Sequence, residues 1–175
     1  VLAMLACLTR RGPDDQGLER ADRTTLGHRR LAIQDLTAAG HQPMRSPDGR
    51  YLVVFNGEIY NAPQLRQRLE QLGCRFRSSS DTEVILQGYE RWGDQIWSWL
   101  DGIYACALWH QGLQQLTLVR DRFGIKPLYI CERPEGLVFA SELSALRAAG
   151  VASSPNREAL AGYAVWGAYV APQTA

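Results

Sequence analysis

Short apolar runs, separated by turn residues every ten to fifteen positions, fill residues 1 to 150 and predict a single α+β domain. Leu2 to Thr9 carries apolar residues on a helical period and runs into Gly12-Pro13, which stops a helix. Leu26 to Ile33 predicts a strand. Pro43 to Arg45 and Tyr51 to Phe55 flank Asp48-Gly49, a dipeptide that tolerates positive φ and closes tight hairpins. Residues 62 to 72 predict a helix with Asn61 as its cap, Pro63 in its first turn and Gly73 just past its end. Ser80-Asp81-Thr82-Glu83 is a capping-box pattern that opens a second helix, stopped at Trp92-Gly93.

The second half reads mostly as antiparallel sheet. Ile103 to Trp109 and Gln115 to Val119 predict a hairpin around Gln111-Gly112, followed by strands near Pro127 to Cys131 and Leu137 to Ala140. Glu142 to Ala149 predicts a helix. From Val151 the character changes: Ser153-Ser154-Pro155-Asn156 is a loop ending in a cap, residues 157 to 166 start another helix, and Pro172 to Ala175 bring no finishing signal. Residues 151–175 are therefore expected to begin a linker, and both ends read as cuts in a longer chain.

Composition narrows the function classes. With 175 residues, 46% hydrophobic and 21% charged, the chain falls in the ordinary globular range. Nineteen basic against eighteen acidic residues leave a net charge of +1, which lacks the basic footprint of a nucleic-acid binder. No apolar run approaches the ~20 residues that span a bilayer, and Val1 to Leu8 lacks the flanks of a signal peptide, so neither membrane nor nucleic acid is an expected partner and a cytoplasmic setting is. Cys7, Cys74, Cys106 and Cys131 form no CxxC pair and have no His at ligand spacing, which predicts free and mostly buried thiols rather than zinc or disulfides. No metal site is expected.

Asn56-Gly57-Glu58 follows the apolar run Tyr51 to Phe55, where a buried strand would deliver it to the sheet edge. A glycine admits close backbone approach, an Asn amide donates to a developing oxyanion, and a carboxylate accepts from an ammonium group. Asn-Gly is equally a turn dipeptide. His28-Arg29-Arg30 lies on a strand whose alternation puts His28 and Arg30 on one face. Arg30 is a bidentate clamp for a carboxylate or part of an exposed basic face, and His28 reads as a structural hydrogen-bonding residue. Asp81 either meets a ligand or profits from the helix dipole. The nucleophile elbow Gly-x-Ser-x-Gly, the P-loop and HExxH are all missing from the sequence.

Four sequence words carry a resemblance: His28-Arg29-Arg30-Leu31-Ala32-Ile33, Phe55-Asn56-Gly57-Glu58-Ile59-Tyr60-Asn61, Ser80-Asp81-Thr82-Glu83-Val84-Ile85, and Arg120-Asp121-Arg122-Phe123-Gly124-Ile125-Lys126-Pro127-Leu128-Tyr129. Together with Arg11-Gly12-Pro13-Asp14-Asp15 and Phe139-Ala140-Ser141-Glu142-Leu143, in this order, they resemble the class II glutamine amidotransferase domain of glutamine-hydrolysing asparagine synthetases.

The resemblance, over residues 1–150, implies an N-terminal nucleophile hydrolase fold, a four-layer α/β/β/α sandwich of two antiparallel sheets. It implies that Arg30 grips the α-carboxylate of glutamine, that Glu58 and Asp81 take its α-ammonium, and that Asn56 with the Gly57 N–H forms the oxyanion hole. The backbone from Leu31 through Ile33 and Gln34 would line the same pocket. In that family an N-terminal Cys attacks the amide with its own α-amine as base, and the ammonia passes to a C-terminal synthetase domain. That domain would bring ATP and magnesium; none is implied for residues 1–150. The family's first strand and its Cys are expected to precede Val1, so the chain alone is expected not to hydrolyse glutamine. Cys7 is not expected to substitute, and a homodimer is a further possibility. The alternatives are a glutamine-binding or structural module without catalysis, or an amidotransferase acting on another carboxylate.

Overall fold

The computed structural model describes residues 1–152 and 154–168. In chain order its helices and strands are α1 (Leu2–Cys7), β1 (Asp15–Ala21), β2 (Thr24–Arg30), β3 (Met44–Arg45), β4 (Tyr51–Ile59), α2 (Ala62–Gln71), α3 (Asp81–Trp92), α4 (Ile96–Trp99), β5 (Gly102–His110), β6 (Gln115–Arg120), β7 (Tyr129–Arg133), β8 (Gly136–Ala140), α5 (Leu143–Ala148) and α6 (Arg157–Trp166).

β4 organises the fold. Tyr51 to Phe55 are all buried, because a strand covered on both faces needs an unbroken apolar run rather than alternation. On one face Tyr51, Val53 and Phe55 pack against Leu65 and Leu69 of α2 and Val84 to Leu86 of α3. On the other, Leu52 and Val54 meet Ala21 and Leu26 of the β1–β2 hairpin, with Phe139 of β8 beside them. Outside that layer Met4 of α1 packs with Ala140, Ala145 and Leu146.

The four expected layers are present. The inner sheet runs β3-β4-β5-β6, all antiparallel, with Val53 opposite Leu108 and Asn56 opposite Ala105. The second sheet layer consists of two hairpins, β1–β2 and β7–β8, and among the described residues no ladder joins them. Among those residues no helix is long and apolar enough to cross a membrane.

Several sequence expectations need correction. β1 was not foreseen: its buried positions are Gly17 and Ala21, too small to produce an apolar signal. Asn56, Gly57 and Glu58 lie inside β4 rather than after it, because β5 continues to pair through Ile103. The expected strand to Ile33 stops at Arg30, where the chain curls around the Arg30 guanidinium. Asn61 makes no capping bond; its amide donates to the Trp99 carbonyl at 2.8 Å and its oxygen accepts from Asp101 N–H at 3.0 Å. Of the four thiols only Cys106 is buried, and Cys7 is exposed on the outer side of α1. Pro172 to Ala175, where no finishing signal is expected, lie outside the described residues.

Candidate active site

The start of α3 is built for rigidity. Ser80 caps it by accepting from the Thr82 N–H at 3.2 Å. Glu83 does not reach back to complete a capping box; its buried carboxylate accepts from Arg77 N–H at 2.9 Å, Ser78 N–H at 2.7 Å and the Ser78 hydroxyl at 2.6 Å. The loop before the helix is thereby folded onto it. Asp35 fixes the opposite wall: its Oδ1 accepts from the N–H and hydroxyl of Thr37 at 2.8 and 2.6 Å, and its Oδ2 from Ser79 N–H at 2.8 Å. The Thr37 hydroxyl above all, then the N–H donors, hold this carboxylate down at about 2. One buried anion therefore ties the 31–40 loop to the approach of α3.

Between these walls runs the β3-side edge of β4. β3 ends opposite Val53, so beyond it the β4 backbone must find other partners. Phe55 N–H donates to Gln42 Oε1 at 2.6 Å, and the Phe55 carbonyl accepts from Gln42 Nε2 at 3.2 Å and His28 Nε2 at 3.0 Å. Ile59 N–H donates to Asp81 Oδ2 at 3.0 Å. Gly57 lies between them. Its partner Tyr104 uses both its N–H and its carbonyl on Asp121, so the Gly57 N–H faces the same edge as those of Phe55 and Ile59. A side chain there is excluded, because a Cβ would come within 2.2 Å of the Ile103 carbonyl oxygen.

These walls enclose a cavity of about 610 Å³. Its polar end is bordered by Arg30, Leu31, Ile33, Gln34, Asn56, Gly57 and Asp81, and its apolar end by Val54, Leu116 and Phe139. Seven of the eight expected site residues thus meet around one space. Glu58 is not on the wall, yet it lies near enough to Asp81 to raise that carboxyl further. Leu31, Ile33 and Gln34 are exposed at the rim. Arg30 is buried and donates to the backbone carbonyls of Thr37, at 2.9 Å, and Asp35. Those contacts take two of its five donors.

The electrostatics suit a zwitterionic amide. Burial, with Glu58 beside it, pushes the Asp81 carboxyl up, a cost that a bound cation would relieve. Asn56 Nδ2 is a buried donor with no protein partner, so it is free to meet an oxygen. Sequence reasoning missed Asp35 and Gln42. Asp35-Leu36-Thr37 is a turn signature that could have flagged the first, whereas nothing local marks Gln42.

A family model described as "Glutamine amidotransferase domain" matches residues 1–175. Asparagine synthetase [glutamine-hydrolyzing] 3 of Bacillus subtilis is 37% identical over 147 residues, which is 83% of this chain and 24% of that protein. A putative asparagine synthetase [glutamine-hydrolyzing] of Mycobacterium tuberculosis is 43% identical over 147 residues, 78% of this chain and 22% of that protein. The chain spans about a quarter of the length of such relatives. Among solved structures, the glutamine phosphoribosylpyrophosphate amidotransferase from B. subtilis superposes with a TM-score of 0.73 at 28% identity, over 85% of this chain and 40% of that one. Motif order, layered fold and family model agree: the chain belongs to the glutamine amidotransferase domain family.

Proposed function

We propose that the polar end of the cavity binds glutamine and supports hydrolysis of its side-chain amide, as the glutaminase part of a longer glutamine-dependent asparagine synthetase. The observation that carries this reading is the convergence of a cation, Arg30, an anion whose pKa is raised, Asp81, and an unpartnered amide donor, Asn56, on one space.

In this reading Arg30 takes the α-carboxylate with its remaining donors, and Asp81, with Glu58 nearby, takes the α-ammonium. A thiolate attacks the side-chain carbonyl carbon, and the resulting oxyanion is held by Asn56 Nδ2 and the Gly57 N–H. The carbon–nitrogen bond then breaks, the nitrogen leaves as ammonia after gaining a proton, and water releases glutamate from the thioester. Cys106 borders the cavity, but full burial pushes its thiol up, away from the reactive thiolate. The attacking thiol is assigned, as the resemblance to class II glutamine amidotransferases implies, to an N-terminal Cys of the mature protein, with its own α-amine as base. Ammonia passes to an ATP- and magnesium-dependent domain that amidates aspartate, a role supported by the names of the relatives.

The test is asparagine formation by the full-length natural protein with glutamine or with ammonium chloride as nitrogen donor. Asn56→Ala is expected to lower glutamine-dependent synthesis about 10²-fold or more and to leave ammonia-dependent synthesis unchanged. Equal loss of both activities would refute the assignment.

A further inference from the structure

His28 carries a buried group that lies outside the proposed glutamine contacts. Its Nε2 lies 3.0 Å from the Phe55 carbonyl oxygen. A carbonyl only accepts, so Nε2 carries the ring hydrogen. Burial, and the Arg30 cation nearby, keep the ring neutral, with a pKa lowered to about 4, which leaves Nδ1 as a bare lone pair. That Nδ1 is buried and has no partner, and His28 borders the same cavity as Asn56. The His28 ring is anchored to the carbonyl of Phe55, the residue immediately before Asn56 in β4.

A fixed acceptor and a fixed donor bordering one cavity are the complement of a primary carboxamide. Its carbonyl oxygen accepts from Asn56 Nδ2, and its NH₂ donates to His28 Nδ1. A carboxylate offers no hydrogen and sets its charge against that lone pair. We infer that His28 Nδ1 accepts a hydrogen bond from the side-chain NH₂ of bound glutamine, and that this contact makes the site select the amide over the acid, glutamate. The inference rests on the proposed glutaminase reading and adds a specificity-determining residue to it. A site built to pair a substrate N–H discriminates against an analogue lacking it far better than one that only fits its shape.

Two substitutions in the full-length protein separate the two ring nitrogens. In His28→Gln the terminal amide reaches the Nε2 position and keeps the bond to Phe55, while the acceptor at Nδ1 is lost. In His28→Asn the shorter side chain offers its oxygen near the Nδ1 position and gives up the bond to Phe55, whose carbonyl keeps Gln42 Nε2 as a partner. The readouts are kcat/KM for ammonia release from glutamine and Ki for competing L-glutamate. His28→Gln is expected to lower kcat/KM about tenfold, the scale of one hydrogen bond, and to leave the glutamate Ki unchanged or lower. His28→Asn, which keeps an acceptor near Nδ1, is expected to lose less of kcat/KM for glutamine than His28→Gln.

Equal weakening of glutamine and glutamate by His28→Gln, no effect of it on either, or a larger glutamine defect in His28→Asn than in His28→Gln would overturn the inference and leave the glutaminase reading standing. If the wild-type protein releases no ammonia from glutamine, both fall together.

Discussion

Replacing Asp35 by asparagine removes the buried carboxylate that ties the 31–40 loop to Ser79 at the approach to α3. The asparagine oxygen can still accept from Thr37, but its NH₂ is turned toward Ser79 N–H, which now faces another donor. Asp35 is 5% exposed, so water cannot freely substitute. Loss of a hydrogen bond to a buried charge costs about 2 kcal/mol, and at a urea sensitivity of about 2 kcal/mol per molar the unfolding midpoint falls by about 1 M. Acid supplies a second signature. The Asp35 carboxyl is depressed from its ordinary 3.8 to about 2, so its stabilisation is complete above the ordinary value and disappears as pH falls through the depressed one. The gap between wild type and Asp35→Asn should therefore be constant from pH 7 to 5 and shrink below pH 4. Urea titrations at pH 7, 5 and 3 read both effects. A midpoint shift under about 0.2 M at pH 7, or a gap that widens in acid, would refute the reasoning.

Gly57→Ala forces a Cβ to within 2.2 Å of the Ile103 carbonyl oxygen and 2.6 Å of Tyr104 Cα. Both are backbone of a central strand, so the substitution should destabilise by about 2 kcal/mol or more, read as a lower midpoint in urea. Asp81→Asn should separate stability from function. An acid whose folded pKa is raised, as burial raises Asp81, penalises folding above its ordinary range and not below it. The variant should thus melt higher than wild type at pH 7, with the gain gone near pH 3, while kcat/KM for glutamine in the full-length protein falls about 30-fold or more through loss of the ammonium partner. A thiol reagent should label exposed Cys7 in the native protein, and reach Cys106 only after denaturant opens the core.

The parts of the fold legible in the sequence are those specified by local chemistry. The unbroken apolar run at Tyr51 to Phe55 fits a strand covered on both faces, which β4 is, and Ser80 with Gly93 bracketed α3 correctly. The hairpin around Gln111-Gly112 was equally plain. β1 was invisible because tight packing of Gly17 against the Gln42 carbonyl needs the absence of a side chain, and absence leaves no hydrophobic period. Asn61 and Glu83 followed their capping motifs in type but bonded elsewhere, since tertiary partners at Asp101 and at Arg77 and Ser78 outcompeted the local ones.

For the site, motif words identified residues and a single cavity brings most of them together, yet the supports between them were hidden. Asp35 reaches Ser79 across 44 positions, and Gln42 braces a strand edge that exists only because β3 is short. The idle Nδ1 of His28 depends on a bond to Phe55 that no spacing rule anticipates.

Glutamine binding at this site is read most directly by hydrogen exchange with mass spectrometry on the full-length protein at saturating L-glutamine. Glutamine bound at the polar end of the cavity should add protection in peptides covering 28–40, 55–60 and 79–83, with less from L-glutamate at equal concentration. Protection confined to β7 and β8, or no change anywhere at saturation, would contradict binding there.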